Sequence, residues 1–257
     1  MEWFPPASFF YSNRCKMNLS NFQNETLLSR LDEVIEENGN NEPPRDYLGA
    51  SAVGDVCSRR QWYKLQGHQE QFKARTLRLF QDGHDTEAKI LSWLHRVPEF
   101  EVYDHNDGEQ YGFSDLGGRY KGHYDGIIRG IPEAPKTWHI LEVKTTAEKH
   151  FRAVERLIEK HGEKAALEAW RPEYYAQAMT YCWYEKLTRH ITIISTPGGR
   201  DLLTIRTNSN HIFAKSLRDK AQRILEATQP PVRISDRSDW YQCKMCSFNK
   251  MCHEGEK

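Results

Sequence analysis

The chain has no apolar run near the roughly 18 residues that a membrane-crossing helix needs, so a membrane protein of that kind is not expected. It has no excess of charge of either sign: 36 lysines and arginines face 36 aspartates and glutamates. The overall field therefore does not advertise a polyanionic partner, although a neutral protein can still carry a basic groove. The opening stretch MEWFPPASFFYSNRCK lacks the basic start and aliphatic run of a secretory signal. The chain is read as intracellular and cytoplasmic. There are no internal repeats and no low-complexity linker. Cysteine is scarce, with Cys15, Cys57, Cys182, Cys243, Cys246 and Cys252. In a reducing compartment such a clustered set binds metal more often than it forms disulfides.

What is present fits a soluble globular chain, 38% hydrophobic and 28% charged over 257 residues. Residues 1–45 form an extension in which Leu27, Leu28, Leu31, Val34 and Ile35 share a helical face that ends at Gly39 and Asn40. Residues 46–257 form the main domain. A helix or a turn into one is expected at GDVCSRRQWYKLQG. A helical period then runs through Leu77, Phe80, His84, Ile90, Leu91 and Leu94, with Gly83 weakening it. Strands are expected at FEVYDH, EQYGFSD, GRYKGHYDGIIRG and WHILEVKTT, and a helix over 147–169. Another helix begins at Pro172, where proline suits the first turn. A strand pair, HITIIST and DLLTIRTN, and a last long helix ending at QPP complete the domain.

Two of these strands carry charge. Residues two apart in a strand share a face, so Glu142 and Lys144 project together from ILEVK while Leu141 and Val143 point away. Asp125 ends an earlier strand that can pair beside this one. Charges in apolar strands are unfavourable unless paired, metal-bound or solvated. Two carboxylates around a divalent cation, with an ammonium nearby, would explain them. Hard oxygen donors suit Mg²⁺ or Mn²⁺, and such a site suits phosphodiester hydrolysis. The plainer alternative is a surface Glu–Lys pair. His84 could complete the coordination, and Glu87 shares its helical face. Gln177 and Tyr181, with Tyr174 on the same face, can hold phosphate oxygens or stack on a base; the alternative is the aromatic edge of a core.

The tail repeats the theme with sulfur. Cys243-x2-Cys246-x5-Cys252 needs a fourth ligand, and Cys57 is the best candidate, with His253 competing. Such a site would staple a tail too short for a core of its own. Zinc and an iron–sulfur cluster both accept four thiolates, and chemistry alone leans to Zn²⁺. Cys15 and Cys182 look like spare residues, the latter in an apolar helix.

In order, SAVGDVCSRRQWY, GHDTE, GHYDG, LEVKTT, QAMTY and CKMCSFNKMC resemble the RecB-type nucleases of the PD-(D/E)XK superfamily. The pattern is most similar to the iron–sulfur branch that includes the CRISPR-associated Cas-four exonucleases and phage relatives. The resemblance spans about residues 50–254. It implies an α/β fold: a restriction-endonuclease-like core with a central mixed β-sheet flanked by helices, and an iron–sulfur subdomain (240–254 plus Cys57) joining the N- and C-terminal parts. It implies Asp125, Glu142, the Val143 carbonyl and His84 as metal ligands, Lys144 as the catalytic lysine, and Gln177 and Tyr181 as catalytic-site residues on a helix that handles DNA and aligns the site. It also implies Cys57, Cys243, Cys246 and Cys252 as ligands of a [4Fe–4S] cluster, which moves the expectation from zinc. Tyrosine, not proline, precedes Asp125.

The function expected is a Mg²⁺- or Mn²⁺-dependent DNA exonuclease acting on single strands or ends in recombination, repair or CRISPR adaptation, alongside proteins of those processes. If the chain is phage-encoded, the setting is the host cytoplasm. Arg59, Arg60 and Tyr181 are candidate DNA contacts, and Trp62 and Tyr63 could stack on bases or pack in the core. The competing functions are a DNA-end-binding adaptor without turnover and a zinc-stapled protein-interaction module.

Overall fold

The computed structural model describes residues 26–255; Cys15 and most of the extension lie outside them. In chain order the elements are α1 (Leu27–Asn40), β1 (Leu48–Gly49), α2 (Ala50–Val53), α3 (Ser58–Leu65), α4 (Ala74–Leu94), β2 (Glu101–Tyr103), β3 (His105–Asn106), β4 (Glu109–Gln110) and β5 (Gly112–Asp115). Next come β6 (Tyr120–His123), β7 (Gly126–Arg129), β8 (His139–Thr145), α5 (Glu148–His161), α6 (Glu163–Trp170) and α7 (Pro172–Tyr184). The chain closes with β9 (Arg189–Ser195), β10 (Leu202–Asn208), α8 (His211–Glu226), α9 (Tyr241–Lys244) and α10 (Asn249–Glu254).

The fold is mixed α/β. A five-stranded sheet has the order β10-β9-β8-β7-β2, in which only β8 and β9 run parallel. A three-stranded sheet, β1-β6-β5, stands beside it, and β3 and β4 form a separate pair. Strand alternation sorts the larger sheet into two apolar faces. Leu141, Val143, Ile191 and Ile193 pack under Ile90 and Leu91 of α4. On the other face Ile194 and Ile205 pack with Ala178 and Met179 of α7, and Ile140 with Tyr181 and Cys182. Each fully buried Leu or Ile contributes about 1.5–3 kcal/mol. Both faces are covered, so Glu142 is 2% exposed despite its charge.

Three expectations change. The segment GRYKGHYDGIIRG is two strands, with β6 in the small sheet and β7 in the large one. The break falls at Tyr124 and Asp125, where the Tyr124 N–H turns to the Tyr111 carbonyl. The helix expected over 147–169 is split by Gly162, whose φ of 78° ends α5 and starts α6. Helix α4 runs unbroken through Gly83, but Phe80 (48% exposed) and His84 are not on its buried face. The apolar stripe of α1 is likewise largely exposed, from 37% at Val34 to 80% at Leu27. That helix is capped by Thr26 and Ser29 and held to α4 through polar contacts, Asp32 to Arg78 and Glu36 to the Ala74 N–H.

Candidate active site and cysteine pocket

The register explains why Asp125 is where it is. The antiparallel pairing of β7 with β8 stops at Gly126 opposite Leu141. One residue further, the Asp125 carboxylate replaces the missing strand and accepts the Val143 N–H at 2.6 Å. A strand residue's N–H and carbonyl lie on the same side, so the Val143 carbonyl faces the gap beside Asp125. Glu142 and Lys144 leave the opposite face together and form an ion pair. Asp125, Glu142 and Lys144 are thus one cluster, at the point where the sheet loses a strand.

Helix α4 adds Glu87, whose charge acts on both Asp125 and Glu142. His84 is close enough to favour the ionised form of Asp125. Lys144, Glu87, His84 and the Tyr174 ring line a cleft of about 550 Å³, with Arg75 and Phe80 toward its mouth. The Lys144 ammonium sits 5.4 Å from the Tyr174 ring centroid.

The electrostatics are those of crowded carboxylates. Burial, then repulsion from Asp125, pushes Glu142 up to about 8, with Lys144 pulling the other way. Burial and Asp125 push Glu87 up to about 7. Burial also raises Asp125, against the pull of Lys144 and the Val143 N–H. Burial disfavours the charge on Lys144, but Glu142 and Asp125 outweigh it and hold the proton on. Glu142 Oε1 is buried with no hydrogen-bond partner. A mainly oxygen donor set, with an orphan lone pair and mutual repulsion, fits a hard divalent cation. Among the described residues, no three His, Cys, Asp or Glu side chains stand at ion-holding spacing as they lie. Lys144 on Glu142 Oε2 supplies the positive charge at that oxygen.

Gln177 and Tyr181 are withdrawn from direct contact with DNA and lie behind the Asp125 turn. They are 7% and 2% exposed. Gln177 Nε2 donates to the Tyr181 hydroxyl (3.1 Å), which donates to the His123 carbonyl (2.6 Å). Tyr181 packs edge-on against Tyr124 and Phe113. A buried ring with a committed hydroxyl cannot stack on a base, so Tyr181 supports the Asp125 turn from behind. Gly122 permits this approach: a Cβ there would lie 3.1 Å from the Tyr181 hydroxyl.

Cys57, Cys243, Cys246 and Cys252 line one pocket of about 340 Å³, together with Asp55, Arg60 and His253. Their electrostatic influence on one another places them together: burial, then Cys252 and Cys57, raises Cys243, and burial, with Cys57 contributing, raises Cys246. His253 Nε2 is buried in the same region without a partner. Cys182 is fully buried elsewhere, against the Arg189 carbonyl. The tail has a small anchor of its own, since Phe248 packs on Tyr63 of α3 with ring centroids 5.7 Å apart.

The two arginines expected at DNA are occupied within the protein. Arg59 donates to the carbonyls of Pro231 (2.5 Å) and Pro230 (3.3 Å) and approaches the Cys252 sulfur. Arg60 grips buried Asp55. Trp62 donates to the Ala227 carbonyl, and Tyr63 is 4% exposed, so both are packing residues. The residue that sequence reasoning missed is Asp55. It is 5% exposed, accepts the Cys57 N–H at 2.9 Å, and binds Arg60 and Gln61 at 2.6 Å each. Its available signal was its place two residues before Cys57, where a carboxylate can cap the turn.

No family model matches the chain, and no curated protein does. Several solved structures are similar in shape. SSO0001 matches at 16% identity over 91% of this chain and 98% of its own, with a TM-score of 0.46. An alkaline exonuclease from Laribacter hongkongensis, LHK-Exo, matches at 15% over 75% and 90%, with a TM-score of 0.48. LHK-Exo in complex with dAMP matches at 14% over 70% and 86%, with a TM-score of 0.46.

Proposed function

We propose that this chain is a divalent-metal-dependent DNA nuclease acting on single strands or ends. The observation that carries this is the strand-edge cluster, in which Asp125 stands in for a lost strand beside the Glu142–Lys144 pair. Asp125, Glu142, the Val143 carbonyl and His84 would hold Mg²⁺ or Mn²⁺, and Glu87 would hold a neighbouring water or the ion itself. The bound ion would acidify a water and polarise a phosphoryl oxygen. Lys144 is held charged by two carboxylates and opens on the cleft, so its N–H groups orient the attacking water and stabilise negative charge developing on phosphorus. The Tyr174 ring stands beside the Lys144 ammonium on the cleft wall.

The cysteine pocket is proposed to hold a [4Fe–4S] cluster. Four thiols around a pocket of about 340 Å³ support a group larger than one ion. Its part here is structural, tying Cys57 at the start of α3 to the tail.

The test uses single- and double-stranded DNA labelled separately at each end, with Mg²⁺ or Mn²⁺, for the native chain and Lys144→Ala. The expected outcome is degradation by the native chain and a 10²–10³-fold loss in the variant, the scale of losing one preorganised donor. Tight binding without cleavage by either protein would reject the nuclease and leave an adaptor.

A further inference from the structure

We infer that the outer face of the three-stranded sheet is a binding platform for single-stranded nucleic acid, with Tyr47 as a base-stacking ring flanked by Lys121 and Arg45. This rests on the nuclease reading and adds a surface that would hold the strand being processed. The inner face of this sheet is closed by Leu48, Tyr120 and Phe113 against the core. The outer face is stripped. Gly49, Lys121 and Ser114 are in register across the three strands, and His123 faces Gly112 on the next exposed row. Glycine and serine leave the backbone open to a flat ligand.

Tyr47 lies in the bend that precedes β1, and its ring meets Lys121 of that face. The Lys121 ammonium lies 4.2 Å from its ring centroid and the Arg45 guanidinium 5.7 Å. Neither cation has an ion-pair partner among the described residues. Two unneutralised cations around one half-exposed ring match a ligand that alternates phosphate and base, and single strands are held by this combination. A duplex hides its base faces and cannot use the ring. Along the chain, Lys121 is four residues before Asp125, at most about 13 Å of extended backbone. The His123 carbonyl between them is the acceptor for Tyr181.

The test measures binding in EDTA, independently of turnover, by the anisotropy of a fluorescent oligonucleotide across a salt series. Full-length Tyr47→Ala should weaken binding about tenfold, the scale of one lost stacking contact, while Tyr47→Phe retains it. Lys121→Gln and Arg45→Gln should each reduce the slope of log affinity against log salt by about 0.7. Hydrolysis of a small chromogenic phosphodiester, too short to reach the platform, should be unchanged in every variant that melts like the native chain. Unchanged affinity and slope in these variants, or equal competition by duplex, would overturn the platform. Loss of small-diester hydrolysis in the native chain would instead count against the nuclease, with the binding result standing by itself.

Discussion

The cleft around Lys144 and the pocket around Cys57 gather their side chains in opposite ways. In the cleft, Glu142 and Lys144 are two residues apart on one strand, and Asp125 reaches them through the pairing of adjacent strands. Backbone register does most of the assembly, so few side-chain supports are needed. In the pocket, the sulfurs come from both ends of the domain and nothing in strand geometry aligns them. Side chains perform the alignment: Asp55 fixes the Cys57 N–H, Arg233 donates to the Cys252 carbonyl, and Asn249 donates to the Cys243 carbonyl. The lesson is that the cleft is vulnerable at its reacting groups, and the pocket at its scaffolding.

On the pocket side, the largest effect expected from breaking this contrast is at Asp55. Asp55→Ala frees Arg60 and Gln61 and leaves the Cys57 turn uncapped. It should destabilise the chain by about 2–3 kcal/mol, less than a fully buried pair because Arg60 keeps solvent contact. Visible absorption and iron content of anaerobically purified protein should fall with it, while the Glu142–Lys144 pair is untouched. Retention of full absorption would show that the pocket does not depend on this carboxylate.

An effect confined to the cleft should appear with pH. Glu142 and Glu87 are raised from 4.5 to about 8 and about 7. Between those limits the folded chain binds protons that the unfolded chain has released. Stability without divalent ions should therefore fall as pH rises from about 4.5 to about 8, by at most about 1.4 kcal/mol per unit for each group. Lys144 is raised as well, and its contribution is lost only in strong alkali. Denaturant titrations across this range check the slope, and Glu142→Gln should flatten it. Added Mg²⁺ or Mn²⁺ should flatten it too, by favouring the ionised carboxylates.

The smallest expected change is Tyr181→Phe. It removes the hydroxyl that accepts from Gln177 and donates to His123 but preserves the ring packing. About 1 kcal/mol of stability should be lost, with DNA affinity unaltered. A large loss of affinity with native stability would return Tyr181 to the DNA-contacting role that its burial denies.

The elements were legible because their signals are local. The alternation in ILEVK put Glu142 and Lys144 on one face, and Pro172 marked the start of α7. The split of GRYKGHYDGIIRG was not, because both halves have strand character. Only the partners available, β5 for one and β8 for the other, divide them. Periodicity placed Phe80 and His84 with the core side of α4, yet only Phe72 meets the Phe80 ring edge-on and both residues line the cleft. The arginines beside Cys57 read as free cations because the Pro230 and Pro231 carbonyls that bind Arg59 come from the far end of the chain.

The sequence by itself determined which residues could carry chemistry, since residue type and a period of two or 3.6 fix what a short segment presents. The tertiary structure alone decided which of those groups are free to act. Lys144 keeps its charge because two carboxylates surround it, and Tyr181 is withdrawn because a glycine lets the small sheet close over it. Burial and pairing depend on contacts between distant segments, and no local pattern encodes them.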